Sequence, residues 1–138
     1  MAYLEWTDNL SVGVTRMDDH HKKLIALINM LFDAMSGDAT RTVDTVLNDL
    51  LDYTRYHFGE EEKLLAACNY PDLEAHQGVH RSMVKEVLDM RQRYADNPAS
   101  VTPNEALDFL SKWLMRHIIG KDLRYRTYAE GHQDPGTA

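Results

Sequence analysis

The sequence holds few of the residues that staple, break or strongly charge a small fold. There is one cysteine, Cys68, so no disulfide can form within the chain, and a reducing compartment is expected. Cys68 itself reads as a small residue near a helix end, not as a nucleophile. Only 4 prolines and 7 glycines punctuate 138 residues, leaving long stretches without breakers. Positive charge is the scarcer sign: 15 Lys and Arg against 22 Asp and Glu give a formal net charge of −7, which argues against a nucleic-acid partner. No apolar run approaches the ~18–20 residues that span a bilayer. The opening "MAYLEWTDNLSVGV" has neither the basic nor the apolar region of a secretion signal. A cytoplasmic protein with no membrane span is therefore expected. With 43% hydrophobic and 27% charged residues, the chain can bury one ordinary core, and a single domain over residues 1–130 is expected.

What is present is helical periodicity. No strand-like alternation persists, and four segments carry the 3.6-residue period instead. The first, at about 18–36, puts Leu24, Ile25, Ile28, Leu31, Phe32 and Met35 on one stripe and stops at "SGD". The second, at about 41–67, follows Thr40 as N-cap, carries Val43, Val46, Leu47, Leu50, Leu64 and Leu65, and ends at "CNYPD". The third, at about 72–94, carries Leu73, Val79, Met83, Val84, Val87 and Leu88 until "ADNPAS". The fourth, at about 103–127, opens at "TPNE", with Thr102 as cap, Pro103 at the first helical position and Glu105 three after the cap. Its stripe is Ala106, Leu110, Trp113, Leu114 and Ile118. Short connections force neighbours antiparallel, so an all-α, up-down-up-down four-helix bundle is expected. Residues 1–17 read as an extended arm whose Leu4 and Trp6 pack on the bundle, and residues 131–138 as a flexible tail with a solvated His132.

Extending each apolar stripe leads to residues that do not belong in a core. Leu24 and Ile28 lead back to His21; Leu50 leads on to His57 and Glu61; Leu73 and Met83 bracket His76 and His80. Leu110 and Leu114 lead to His117, with Asp122 beyond. In "YPDLEAHQGVH" the two histidines are four apart, hence on one helix face. An unpartnered buried histidine or carboxylate costs several kcal/mol, so these residues need partners. They also share a level. At ~1.5 Å per residue all seven fall within roughly 5–15 Å of the same end of an antiparallel bundle. Agreement in both face and level points to a metal site. Five imidazoles and two carboxylates exceed one ion's needs and suit two. Imidazole accepts Fe, Zn, Cu or Ni, while bridging carboxylates favour harder ions, so a di-iron pair leads. His117 and Asp122, five apart, differ by ~140° on a regular helix. Either the ions lie between those directions or a π-bulge near Gly120 widens the helix.

The set "DDHHKKLIALIN", "YHFGEEEKL", "HQGVH" and "WLMRHIIGKD" resembles the hemerythrin-like family in its single-domain bacterial form. The resemblance implies that one iron takes His76, His80 and His117 and the other His21 and His57. Glu61 and Asp122 then bridge, with an oxo or hydroxo group, and O2 is the reversible ligand. Counting ligands on that scheme leaves the His21/His57 iron one position open, and Leu24, Phe58, Trp113 and Ile118 are candidate walls of the O2 pocket. His20, rotated ~100° from His21, is expected to be exposed or to stand behind the ligands. Glu60 and Glu62 read as a solvated acidic face. Arg116, Lys121, Arg124 and Arg126 read as a complement to the end of the fourth helix. Tyr53, Tyr56 and Tyr125 read as packing residues, with a hydrogen bond to a ligand left open.

The implied function is O2 storage, transport or delivery by a monomer that is not an enzyme, with no acceptor protein identified. Two alternatives stay open: an O2, redox or nitric oxide sensing module acting through a separate partner, and a di-iron peroxidase or oxidase. Oxidising di-iron bundles use Glu-x-x-His pairs and more carboxylates, whereas this chain has His-x-x-x-Glu and only two anionic ligands.

Overall fold

The computed structural model describes residues 3–35, 37 and 39–130, the side chains of 39–42 excepted. The Thr40 side chain, residues 36 and 38 of the "SGD" stop, and the 131–138 tail with His132 lie outside the described residues. The fold is an all-α, up-down-up-down four-helix bundle: α1 (Thr15–Ala34), α2 (Ala39–Ala67), α3 (Leu73–Asp96) and α4 (Pro103–Gly120). A 3₁₀ turn (Asp122–Tyr125) and a short α5 (Arg126–Ala129) follow. No described helix is long and apolar enough to cross a membrane.

The helix ends have local causes. Asn69 takes a left-handed φ of 57° after α2, and Tyr70 N–H reaches back to Leu65 O (2.9 Å) while Asn69 N–H reaches Ala66 O (3.2 Å). That pair is the Schellman pattern, and Pro71 then prevents the helix from resuming. Thr102 Oγ1 accepts from Glu105 N–H at 3.1 Å with Pro103 in the first turn, as its sequence signature requires. α1 starts three residues before the expected Asp18. Asp18 instead serves as an anchor, accepting from Ser11 Oγ (2.6 Å) and Val12 N–H (2.9 Å) and so tying the arm to the first turn.

The core is two apolar clusters. The larger includes Leu24, Ile28, Leu31, Val43, Leu47, Leu50, Val87, Leu110, Leu114 and Ile118 and fills the body of the bundle, with Leu4 and Trp6 packed against it as expected. Asn29 fixes that part of the arm by bonding both Leu4 N and Leu4 O at 2.9 Å. The smaller cluster, Val12, Val14, Met17, Leu64, Leu65, Tyr70, Tyr125 and Ala129, closes one end. Phe32, expected in the core stripe, is 38% exposed. Leu31 takes the inward direction, and Phe32, ~100° around the helix, is covered instead by the Tyr3 ring at 5.2 Å.

α4 departs from the expected continuous helix over 103–127. It stops at Gly120, and the chain tightens into the 3₁₀ turn; no π-bulge occurs among the described residues. Lys121, at φ −124° and ψ −55°, leaves the helical path and so changes where Asp122 points relative to His117.

The arm meets the C-terminal segment at Gly13, whose φ is +78°. A Cβ there would lie 2.8 Å from Glu130 Cγ and 3.2 Å from Glu130 Cα. Gly13→Ala should therefore lower unfolding stability by at least the ~1–2 kcal/mol of a left-handed L-residue, read as a shifted urea midpoint. An unchanged midpoint would show that the arm is not held as described.

Candidate metal centre

Between the two apolar clusters lies a polar layer, with every helix of the bundle and the turn after α4 contributing. α1 supplies His21, α2 His57 and Glu61 one turn apart, α3 His76 and His80 one turn apart, α4 His117, and the 3₁₀ turn Asp122. All seven are buried, and His21, His57, Glu61 and Asp122 have no exposed surface. Their donor atoms form two groups, each within 4.8 Å: Glu61, His76, His80, His117 and Asp122, and separately His21, His57 and Glu61.

The carboxylates divide their oxygens between the groups. Glu61 Oε1 lies 3.0 Å from both His76 Nε2 and His80 Nε2, while Oε2 faces His57 Nε2 (3.4 Å) and His21 Nε2 (3.5 Å). Asp122 Oδ1 lies 3.1 Å from His76 Nε2 and 3.0 Å from His117 Nε2, while Oδ2 faces His21 Nε2 at 3.1 Å. The early end of α4 makes this possible, so the π-bulge expected near Gly120 is not what resolves the His117–Asp122 spacing.

Of these pairs, His76 Nε2 and Glu61 Oε1 make a hydrogen bond at 3.0 Å, but most of the other atoms are close without being aligned on one another. His21 Nε2, His57 Nε2, His80 Nε2, His117 Nε2 and both Asp122 oxygens are buried without a hydrogen-bond partner. So many orphaned buried lone pairs would be costly alone. Their chemistry, neutral imidazole with carboxylate, fits first-row divalent cations, and the residues present could hold two.

Charge is balanced within the layer. Burial pushes the Glu61 carboxyl up, but His57, His21 and His76 hold it well below the usual range. Asp122 is likewise held low: burial and Glu61 oppose its charge, and His117 and His21 overcome them. Conversely, burial pulls His21 and His76 down, but the Asp122 and Glu61 carboxylates raise them to about 10 and about 9. His57 is drawn below its ordinary value by burial.

A second ring of side chains fixes the first. Tyr125 O–H donates to Glu61 Oε2 at 2.8 Å, and burial, then Glu61 and Asp122, push its pKa well up, so it stays a phenol. Of the two options left open for Tyr125, the structure takes the hydrogen bond. Glu62 is a correction: it is not merely a solvated acid, because its Oε2 lies 2.7 Å from His80 Nδ1. One step past Glu61 turns the side chain ~100° towards α3. The Glu60 carboxylate, turned the other way, pairs with Arg16 and Lys63. His20 is buried rather than exposed, its Nδ1 2.8 Å from His57 Nδ1. Phe58 lies flat on His80, centroids 3.7 Å apart at 1°, and Trp113 lines a surface groove beside His117 while its Nε1–H donates to Met83 O at 3.1 Å. Leu24 and Ile118 are fully enclosed in the larger cluster. Of the basic residues expected to complement the α4 end, Arg126 instead ties the arm, donating to Ser11 O at 3.1 Å.

A four-helix bundle with two histidine groups sharing two carboxylates has the makings of a dinuclear cation-binding protein. The family described as "Hemerythrin HHE cation binding domain" matches residues 12–127, and the chain belongs to that hemerythrin family. It is 33% identical over 132 residues to a bacteriohemerythrin of Stenotrophomonas maltophilia, covering 96% of this chain and 85% of that protein. A hemerythrin-like protein of Naegleria gruberi is 32% identical over 121 residues, 88% of this chain and 89% of that one. The fold is similar to a crystal structure of wild-type hemerythrin with a TM-score of 0.83 at 27% identity, covering 94% of this chain and 100% of that chain.

Because His21 and His76 are raised above their ordinary 6.5, both carry a proton at pH 7.5 in the metal-free site. Ligation through Nε2 requires the neutral ring, so metal loading at pH 7.5 should release at least ~2 protons per chain. The release should shrink as pH rises through 9 and 10. Calorimetry in buffers of different ionisation enthalpy measures it, and loading without proton release would contradict the assignment.

Proposed function

We propose that this chain binds O2 reversibly at a non-haem di-iron centre, serving O2 storage, transport or delivery. His76, His80 and His117 would hold one ion and His21 and His57 the other, with Glu61 and Asp122 shared between them. The observation that carries this reading is the division of each carboxylate's two oxygens between the two histidine groups. When bound, the ferrous pair supplies the electrons that reversible O2 binding draws on.

The chain's own residues do the rest. Three imidazoles on one side and two on the other make the binding set unequal, so the His21/His57 side is where a small ligand finds room. Tyr125 and Glu62 hold Glu61 and His80 in place by hydrogen bonds of 2.8 Å and 2.7 Å. Pre-set ligands lose little freedom on binding, and such outer partners also keep the correct imidazole tautomer. Water and stray protons are kept away by the apolar clusters on either side of the layer. Of the four proposed pocket walls, Phe58 stacks on His80 but also lies 5.8 Å from the His57 ring, between the two sides, while Trp113 lines the groove beside His117. We assign the gating of the two-histidine side to Leu24 and Ile118. Two anionic ligands among seven give little support to higher oxidation states, which favours reversible binding over substrate oxidation. A cytoplasmic setting rests on the single, half-buried thiol of Cys68.

The test is optical. Anaerobically reduced, iron-loaded protein should gain a charge-transfer absorption band when O2 is admitted and lose it when O2 is stripped, over repeated cycles. A spectrum that never changes, or changes once and stays, would overturn the reading. Leu24→Ser should retain its iron but lose the reversible signal several-fold faster per cycle than the parent; equal decay would remove Leu24 from the gate.

A further inference from the structure

The two groups of histidines are backed differently. On one side, His80 presents its Nδ1 to an anionic carboxylate, Glu62 Oε2, at 2.7 Å. On the other, His57 presents its Nδ1 to another imidazole, His20 Nδ1, at 2.8 Å. A nitrogen–nitrogen contact this short needs one proton between the two atoms, so one ring donates and the other accepts. His57 Nε2 faces Glu61 Oε2 across the metal layer, and a ring that binds a cation through Nε2 keeps its proton on Nδ1. His57 is then the donor. His20 must accept, as a neutral ring protonated on Nε2.

The surroundings of His20 hold that arrangement. The ring packs edge-on against Tyr53 at 5.7 Å, tilted against Tyr56 at 5.5 Å, and edge-on against His57 at 4.9 Å. Arg16 donates to Tyr56 Oη at 2.9 Å and pairs with Glu60, so an ion pair fixes the Tyr56 ring that packs on His20. His20 therefore neighbours His21 in sequence but faces the α1–α2 seam, behind His57.

We infer that His20 is a positioning residue for His57, and that by giving His57 a neutral acceptor where Glu62 gives His80 an anionic one, it makes the two metal positions electronically unequal. The inference rests on the di-iron reading above. A carboxylate behind an imidazole makes that ligand more basic and its metal harder to remove or reduce; an imidazole behind it does so less. The two-histidine position, already short of one ligand, is thus also the one with the less basic ligand.

The experiment uses iron-loaded full-length parent, His20→Leu, His20→Gln and His20→Glu, each followed for iron loss to a chelator and for reduction potential. Parent protein that never holds two irons would sink the di-iron reading, not this one. Given two irons, His20→Leu should lose one of them ~10-fold faster or more, in a separate kinetic phase. His20→Gln, which keeps an oxygen acceptor, should recover much of the difference. His20→Glu should slow the loss and lower the potential. Loss from His20→Leu at the parent rate would overturn the inference. So would equal loss from His20→Leu and His20→Gln, because packing alone would then account for His20. If His20→Leu does not fold, His20→Glu decides: a potential equal to the parent's overturns the inference.

Discussion

Two carboxylates without any exposed surface, Glu61 and Asp122, set the terms for one end of this bundle. A buried carboxylate is tolerable only beside compensating positive charge and hydrogen-bond donors. In the metal-free chain that charge comes from protons on His21 and His76, whose pKa values are raised to about 10 and about 9. Divalent cations at the same place would do more, because they also satisfy the imidazole nitrogens and Asp122 oxygens that no hydrogen bond reaches. The polar layer is thus a set of groups that a cation pair would complete. The apolar clusters above and below make its isolation from water possible.

The same demand runs outward through the fold. Two of the imidazoles that turn Nε2 inward are backed at Nδ1, His80 by Glu62 and His57 by His20, whereas Nδ1 of His21 and His117 has no hydrogen-bond partner. Tyr125 comes from the segment after α4 and can reach Glu61 only because the helix stops at Gly120 and the chain turns back. That segment is in turn held by the arm: Arg126 bonds Ser11 O, and Val12, Val14 and Met17 pack with Tyr125. A stretch far from the donor atoms therefore helps fix a bridging carboxylate.

Much of this was legible in the sequence. The stripe through Leu24, Ile28 and His21 and the stripe through Leu110, Leu114 and His117 kept their phase, since helix period governs both core and site residues. Thr102, Pro103 and Glu105 marked the start of α4 because cap chemistry is local. What escaped depended on neighbouring helices. Glu62 lies one residue from Glu61, and only the position of α3 decides that it meets His80 and not solvent. For the same reason, helix period alone does not decide whether His20 faces solvent or the back of His57. Phe32 looked like core because it sits at the edge of the apolar stripe, where Tyr3 of the arm supplies the cover that periodicity cannot foresee. The five-residue step from His117 to Asp122 signalled an irregularity, but its form, a helix end with a 3₁₀ turn, was set by the backbone at Lys121, at φ −124° and ψ −55°.

The central claim is that the layer is completed by two cations that the carboxylates share. Elemental analysis of protein loaded in iron-replete cells tests it most directly. The account predicts two irons per chain. One iron, none, or zinc in its place would contradict it.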